Sequence, residues 1–455
     1  MACVDHAGNA AAFLKDKAQA RWHDEALWYV RKKRDAAAAS VPEWEELRRA
    51  AEAVKEHTLA HLGHYLTLFE SQARANGIEV YWAENGQELN DIVAGLLREH
   101  GAKRVVKSKS MLTEECGLNA YLQQRGIEVT DTDLGERIVQ LAGQHPSHIV
   151  LPAIHMRKRE VAALFSEHLG TERDNDDPLY LTRAARAHLR QKFLEADAAI
   201  TGVNFALAEE GGVVVCTNEG NADLGTALPG LHIACMGLEK VVPDARALGV
   251  LTRLLARSAT GQAITTYTSH FLRPKPGGRL CVVIVDNGRS GLLQSGQKKV
   301  LTCIRCGACM NSCPVYRRSG GHSYETTVPG PIGSVLAAAK EPGRFASLPF
   351  ACTLCASCDH VCPERIDLHD RLFAARRVAM ESTCFGGKRR SLRLAAVLLR
   401  HPRLYRFVMA AARAVLPKLP RNWLYNRHNL WGLEREVPMP AKKPFRQMMR
   451  ERKRG

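Results

Sequence analysis

The chain has 455 residues, 45% hydrophobic and 24% charged, which is enough for two or three domains around sizeable cores and typical of a globular protein. Its formal charge of +17 sits in the tail: Cys384 to Gly455 holds nineteen Lys and Arg against three Glu, leaving about +1 for everything before it. A membrane-spanning chain is excluded, because no run reaches about 18 apolar residues and the best stretch, Ser391 to Leu416, is broken by Arg400, His401, Pro402, Arg403, Arg406 and Arg413.

Residues 1–75 read as a helical N-terminal segment. Met1 to Ala20 has no apolar core flanked by basic residues, so neither a signal peptide nor a twin-arginine export signal is read there, and the expected location is cytoplasmic. Pro42 after Ser40, with Glu43, Glu45 and Glu46 in the first turn, marks a helix start. One long amphipathic helix follows through Leu47, Ala51, Val54, Leu62, Tyr65 and Phe69 to a left-handed stop at Asn76-Gly77. Trp22, Trp28 and Trp44 read as anchors to a larger domain.

Residues 76–290 alternate short apolar strands with amphipathic helices, the pattern of an α/β domain with a largely parallel sheet. The expected strands are Ile78 to Trp82, Arg104 to Val106, Ile127 to Thr130, His148 to Leu151, Ala198 to Thr201, Val213 to Cys216 and Leu280 to Val285. In such sheets ligands bind beyond the carboxyl ends of the strands. Lys107-Ser108-Lys109-Ser110 follows one of them, and its two ammonium groups and helix N-terminus suit an anion; the plainer alternative is that Ser110 caps a helix while the lysines are solvated. Glu209-Glu210-Gly211-Gly212 is a binding loop or simply a tight turn, and Asn218-Glu219-Gly220-Asn221 follows the next strand. There is neither a G-x-G-x-x-G nor a G-x4-G-K-[ST] motif, so nothing points to a nicotinamide or nucleoside triphosphate. The acidic loop Asp174 to Asp177 lacks the glycine and glutamate of a calcium loop.

Residues 291–383 contain the strongest signal. Eight of the fourteen cysteines form two copies of one spacing: Cys303, Cys306, Cys309, Cys313-Pro314 and Cys352, Cys355, Cys358, Cys362-Pro363. Three cysteines at two-residue intervals wrap one face of a [4Fe-4S] cubane, and the fourth, before proline, ligates the other cluster. The first cluster is therefore assigned to Cys303, Cys306, Cys309 and Cys362, and the second to Cys352, Cys355, Cys358 and Cys313. A zinc ribbon or a disulfide framework fits less well, since neither calls for the third cysteine nor for the repeated Cys-Pro. The 38 residues between the two motifs suit an α-helical ferredoxin domain. Tyr316, Arg317 and Arg318 could tune a potential or dock an acidic partner, the plainer reading being a solvated basic face. Cys3, Cys116, Cys216, Cys235, Cys281 and Cys384 are scattered singly and read as thiols, without disulfides.

Residues 384–455 form a basic C-terminal segment in which Arg389 to Arg413 mixes Leu, Ala, Val and Phe with arginines. That suits a partner's acidic surface first and an anionic membrane surface second. No recognised nucleic-acid module accompanies the charge, so no nucleic acid is expected.

The runs Lys107-Ser108-Lys109-Ser110-Met111, Asp133-Leu134-Gly135-Glu136, Pro146-Ser147-His148-Ile149, Pro152-Ala153-Ile154-His155, Asn204-Phe205 and Asn218-Glu219-Gly220-Asn221 resemble the lactate-utilization protein B family. So do Gly330-Pro331-Ile332-Gly333 and Pro438-Met439-Pro440-Ala441-Lys442 with Phe445-Arg446, so the likeness spans almost the whole chain. The resemblance implies a ribose-phosphate isomerase/CoA-transferase-like α/β domain, then an α-helical ferredoxin domain with two [4Fe-4S] clusters, then a family-specific basic segment. It implies a part in oxidising L-lactate to pyruvate alongside a cysteine-rich partner protein and a smaller relative of the α/β domain. Glu210, and Ala222-Asp223 after Asn221, depart from the family pattern. Two function classes follow: a non-catalytic electron-transfer subunit of an oxidoreductase system, peripheral at most to the inner face of the membrane, or an α/β enzyme binding a hydroxy acid or acyl substrate through Lys107, Lys109 and Glu219. A third, an iron-sulfur regulator using the tail on DNA, predicts salt-sensitive, sequence-selective binding.

Overall fold

The computed structural model describes residues 3–381, 386–425, 436 and 440–452. They fall into two compact units, Met1–Cys384 and Phe385–Gly455. The first contains ten strands: β1 Glu79–Ala83, β2 Arg104–Lys107, β3 Glu128–Asp131, β4 Ala198–Gly202, β5 Phe205–Leu207, β6 Gly212–Thr217, β7 Leu231–Gly237, β8 Val241–Val242, β9 Tyr267–Phe271 and β10 Arg279–Val285. Six of them make a sheet in the order β1-β10-β7-β4-β2-β3. All five pairings are parallel, with Val282 opposite Ala234 and Val105 opposite Ala198.

Continuous apolar strands follow from covering both faces of a parallel sheet. On one face Val283, Val285, Ile233 and Ile200 pack on Leu89, Val93, Leu96 and Leu97 of the helix Gly86–Glu99. On the other, Val282, Ile284, Ala234 and Met236 pack on Leu66, Phe69 and Ala73 of the helix Leu62–Ala75. Each fully buried Leu, Val or Phe contributes about 1.5–3 kcal/mol, so the period-2 alternation of β10 fixes its register between the two layers.

Several sequence expectations need correction. His148 to Leu151 is no strand: the Nδ1 of His148 accepts the amides of Val150 and Leu151, both at 3.0 Å, and this side-chain bonding replaces sheet pairing. Val213 to Cys216 is a strand, but it belongs to a second sheet, β8-β5-β6-β9, where β6 runs antiparallel to β5 and β9. The long helix is two, Trp44–Ala60 and Leu62–Ala75, broken at His61 (φ −117°, ψ 28°). Ser40 ends the helix Lys17–Ala39 rather than starting the next, its hydroxyl donating to the Ala37 carbonyl at 2.8 Å. Gly77 does adopt the expected left-handed conformation (φ +82°). Cys3 is disulfide-bonded, against the expectation of none, while the other described cysteines are free. Cys384, Pro438 and Met439 lie outside the described residues.

After β10 the chain becomes helical, with the short helices Ala308–Ser312, Pro314–Ser319 and Ser357–Val361 and the longer Gly330–Lys340 and Leu368–Ala379. They share a core of Met310, Tyr316, Tyr324, Ile332, Val335, Leu348 and Leu372. The N-terminal helices close on it. Trp28 stacks under Arg317 with the guanidinium carbon 4.3 Å from the ring centre, Asp24 holds the same guanidinium at 2.6 Å, and His23 Nδ1 lies 2.9 Å from the Arg317 carbonyl oxygen. Arg317 is therefore a clamp, not a solvated basic face.

The second unit, taken by itself, contains the helices Gly386–Arg400 and Pro402–Val415. Leu394, Leu399 and Phe407 are exposed on them among arginines. Among the described residues no helix is long and apolar enough to cross a membrane.

Candidate metal centre

The two cysteine motifs repeat in backbone as well as in sequence. In the first, Arg305 (φ 61°) and Gly307 (φ 76°) are left-handed; in the second, Leu354 (φ 57°) and Ala356 (φ 57°) occupy the same places. Three non-glycine residues there cost roughly 1–2 kcal/mol each, so the loop must be compensated by what it surrounds. These turns aim amides at sulfur: Arg305 N–H donates to Cys303 Sγ at 3.4 Å and Leu354 N–H to Cys352 Sγ at 3.3 Å. Each loop runs into a five-residue helix, Ala308–Ser312 or Ser357–Val361, which stops at the fourth cysteine because proline follows. Cys313 and Cys362 are both extended (φ −74°, ψ 118° and φ −67°, ψ 118°), and their thiols accept from Tyr316 and Ile366 amides at 3.5 and 3.4 Å.

The two motifs lie close enough for their thiols to act on one another. Burial, then the neighbouring Cys303, Cys306 and Cys362, push the Cys309 thiol well above its ordinary range. Cys313 is pushed up to about 11 by burial and by Cys352 and Cys355, and Cys306 up to about 12 by burial and by Cys303. Thiols so crowded and desolvated stay protonated unless a cationic inorganic core shares their charge. Among the described residues no three Cys, His, Asp or Glu side chains converge on a single metal ion. An all-sulfur donor set, spread wider than one zinc ion allows and wrapped in amide donors, fits an iron-sulfur cubane.

Gly330-Pro331-Ile332-Gly333 belongs to this wrapping. The Ile332 amide bonds to the Cys309 sulfur, and a Cβ at Gly333 would stand 1.5 Å from the Val328 carbonyl oxygen, so only glycine brings that turn in. Further cations arrive from remote sequence. Arg34 donates to the Val361 carbonyl at 3.1 Å and Arg48 to the Cys362 carbonyl at 2.9 Å, neutralising the C-terminal end of the second short helix. Sequence reasoning missed both, since nothing local ties residues 34 and 48 to a motif some 300 positions away.

The loop around Ser147, His148 and His155 joins the α/β domain to the cysteine module. His148 Nε2 lies 3.0 Å from Asn311 Oδ1 in the first short helix, and Tyr316 donates to the Ser147 carbonyl at 2.6 Å. Because two amides occupy Nδ1 of His148, Nε2 carries the proton. Ser147 Oγ stands 2.6 Å from His155 Nδ1.

Beyond the carboxyl ends of β2, β4 and β7 lies a cavity of about 300 Å³. Its lining takes in Lys109, Asn204, Thr217, Glu219, Lys240 and Arg305, and it reaches Cys306. A larger space, about 680 Å³, lies beside Leu336, Lys340 and Phe345 and touches none of the cysteines. Of the expected contacts, Lys109 reaches the smaller cavity but is held by Asp133 at 2.7 Å and the Val150 carbonyl at 3.1 Å. Glu219 reaches it with Oε2 accepting the Leu134 amide at 3.0 Å. Lys107 does not: it is wholly buried, 2.7 Å from Asp131, 3.2 Å from Glu114 and 3.8 Å from Glu136. Burial opposes its charge, but the three carboxylates hold its pKa above the ordinary value. Ser110 caps the helix Met111–Glu115 through the Thr113 amide, and Gly211 (φ +63°) is the plain turn between β5 and β6.

A parallel α/β domain closed against a pair of four-cysteine motifs defines an iron-sulfur protein with an appended α/β module. Residues 66–289 match the LUD domain family and residues 299–366 the 4Fe-4S dicluster domain family, so the chain carries two [4Fe-4S] clusters. The chain is 41% identical to lactate utilization protein B of Bacillus pumilus over 92% of its length and 91% of that protein's. It is 40% identical to the Macrococcus caseolyticus protein of the same name over 90% of each chain. An Escherichia coli relative, named as the uncharacterized electron transport protein YkgF, is 42% identical over 82% of this chain and 80% of its own. The chain belongs to the lactate utilization protein B family.

Proposed function

We propose that this protein is the iron-sulfur electron-transfer component of a multi-protein system that oxidises L-lactate to pyruvate. The observation that carries the reading is the placement of two cysteines: Cys306 lines the α/β cavity and is buried, whereas Cys355 is exposed. Each [4Fe-4S] cluster exchanges one electron at a time, so the pair relays the two electrons released per lactate. In our assignment Cys303, Cys306, Cys309 and Cys362 hold the cluster nearer the cavity, and Cys313, Cys352, Cys355 and Cys358 the one nearer the surface. Amide donors to the sulfurs, with Arg34 and Arg48 behind them, favour the more negative reduced state and raise both potentials.

We read residues 1–75 as a clamp, 76–290 as an α/β domain of the ribose-phosphate isomerase/CoA-transferase-like kind, 291–383 as an α-helical ferredoxin domain and 384–455 as a docking segment. The partners are a cysteine-rich protein and a smaller relative of the α/β domain. Contact with the inner face of the membrane is a secondary role of the tail, supported by exposed Leu394, Leu399 and Phe407 among arginines. Anaerobic purification with its natural neighbours, iron and sulfide analysis, and addition of L-lactate test the function. Bleaching of cluster absorbance by L-lactate is expected; a complete, cluster-loaded complex that lactate leaves oxidised would contradict it.

A further inference from the structure

Cys355 is the one exposed cysteine of the two motifs, and neither of the two cavities reaches it. The surface around it is built from separate stretches of chain. Arg31 of the helix Lys17–Ala39 donates to Ser357 Oγ at 3.4 Å, two residues from Cys355. Arg376 of the helix Leu368–Ala379 donates to the Pro349 carbonyl at 2.8 Å and to the Cys352 carbonyl at 2.5 Å. Pro314, next to Cys313, is exposed and stands one turn from exposed Arg318 on the helix Pro314–Ser319. Cys352 and Cys355 act on the Cys313 thiol, so this helix borders the same surface. Trp28, 42% exposed, lies under Arg317, the neighbour of Arg318, and exposed Lys32 follows it by one helical turn. Positive charge is in excess there. Asp24 is taken by Arg317, Asp35 by Arg31 and Arg34 together, and Asp359 by His369. Among the described residues no carboxylate forms an ion pair with Lys32, Arg318 or Arg376, and Glu25 is the only carboxylate of the helix Lys17–Ala39 without one. Like charges repel and give folding nothing, so the excess is complementary to an anionic surface. An exposed tryptophan ringed by arginines has the composition of a protein–protein contact.

We propose that this face, centred on Cys355 and formed by Trp28, Lys32, Pro314, Arg318 and Thr353, docks a redox protein that carries acidic side chains around its own one-electron centre. Each encounter passes one electron from the reduced surface-side cluster to that centre, with no bond made or broken. Attraction between the two charged faces sets the encounter rate. The proposal rests on the reading that Cys355 holds the surface-side cluster of a relay, and it adds where the relay ends and what chemistry meets it there.

The test is stopped-flow reoxidation of the dithionite-reduced, cluster-loaded full chain by two one-electron oxidants of opposite charge, ferricyanide and tris(phenanthroline)cobalt(III). With Lys32→Glu and Arg318→Glu together, ferricyanide reoxidation should slow about tenfold and the cobalt complex should react faster, both effects fading as salt rises from about 0.05 to 0.5 M. Arg183→Glu with Arg186→Glu, an equal change of charge at exposed positions of the helix Pro178–Leu194, should alter either rate less than about twofold. Iron content is measured on every variant; if the first pair loses iron, Lys32→Gln with Arg318→Gln should slow ferricyanide about threefold. Retention of the chain by its immobilised natural neighbours at about 0.05 M salt should be lost in the first pair and kept in the remote pair. Equal slowing by the remote pair, or ferricyanide and cobalt rates that respond alike, would overturn the proposal. Undiminished retention of the first pair would do the same, and a fall in its sedimentation with anionic vesicles instead would make this a membrane face. No lactate enters the rate measurements, so failure here and failure of lactate oxidation are told apart.

Discussion

Lys107 shows how one residue changes meaning between sequence and structure. Two lysines after a strand look like an anion site, but the strand register sends Lys107 inward among Asp131, Glu114 and Glu136. Lys107→Ala removes the cation that pairs with all three carboxylates, and the stranded charges should cost about 3–5 kcal/mol in chemical denaturation. Buried histidines give a second residue-scale prediction. Burial lowers His148 and His232 to about 3 and His155 and His6 to about 4, from an ordinary 6.5. Between about pH 6.5 and 4 the unfolded chain therefore binds protons that the folded chain does not. Stability should fall with falling pH through that window, by about 1.4 kcal/mol per pH unit for each such histidine. Denaturation midpoints measured from pH 7 to 4.5 check this, and His232→Gln should flatten the slope by one proton. None of these histidines was legible as buried; His148, for one, is satisfied by Asn311, far away in sequence.

At the scale of elements, the cysteine repeat was readable because its spacing encodes a local geometry: turns, short helix, proline stop. The Gly330-Pro331-Ile332-Gly333 stretch was recognisable only by likeness, and the structure supplies its reason in the amide given to Cys309. Gly333→Ala must displace the Val328 carbonyl. It should cost about 1–3 kcal/mol and lower the iron content per chain, whereas Gly63→Ala, with open space around it, should leave iron unchanged. The α/β strands were found where apolar runs were bounded by turns. Central β7 was missed because His232 interrupts its apolar run, and that ring is met by Thr201 Oγ1 on neighbouring β4 at 2.8 Å. The strand reading of His148 to Leu151 failed for the converse reason, since local side-chain bonds took the amides a sheet would have used.

At the scale of the whole molecule, the chain threads the cysteine module between an N-terminal helical clamp and the α/β domain, a closure built on contacts about 300 residues apart such as Arg34 to Val361. Composition located the basic tail, and its helices place exposed leucines and Phe407 among arginines. Full-length protein should therefore sediment with vesicles containing about 30% anionic lipid and release as salt rises from 0.1 to about 0.5 M. Equal sedimentation with zwitterionic vesicles would remove the electrostatic part of that account. We propose that electrons pass in order from the cavity side to Cys355. L-lactate reduction of Cys362→Ser and Cys313→Ser variants in the complete complex, each first shown by iron analysis and magnetic resonance to have lost one cluster, decides whether that order holds. The relay predicts that loss through Cys362→Ser stops lactate from reducing the remaining cluster, while loss through Cys313→Ser leaves the cavity-side cluster reducible but abolishes passage to an external acceptor. Reduction of the surface cluster in Cys362→Ser at the unmodified rate would contradict it.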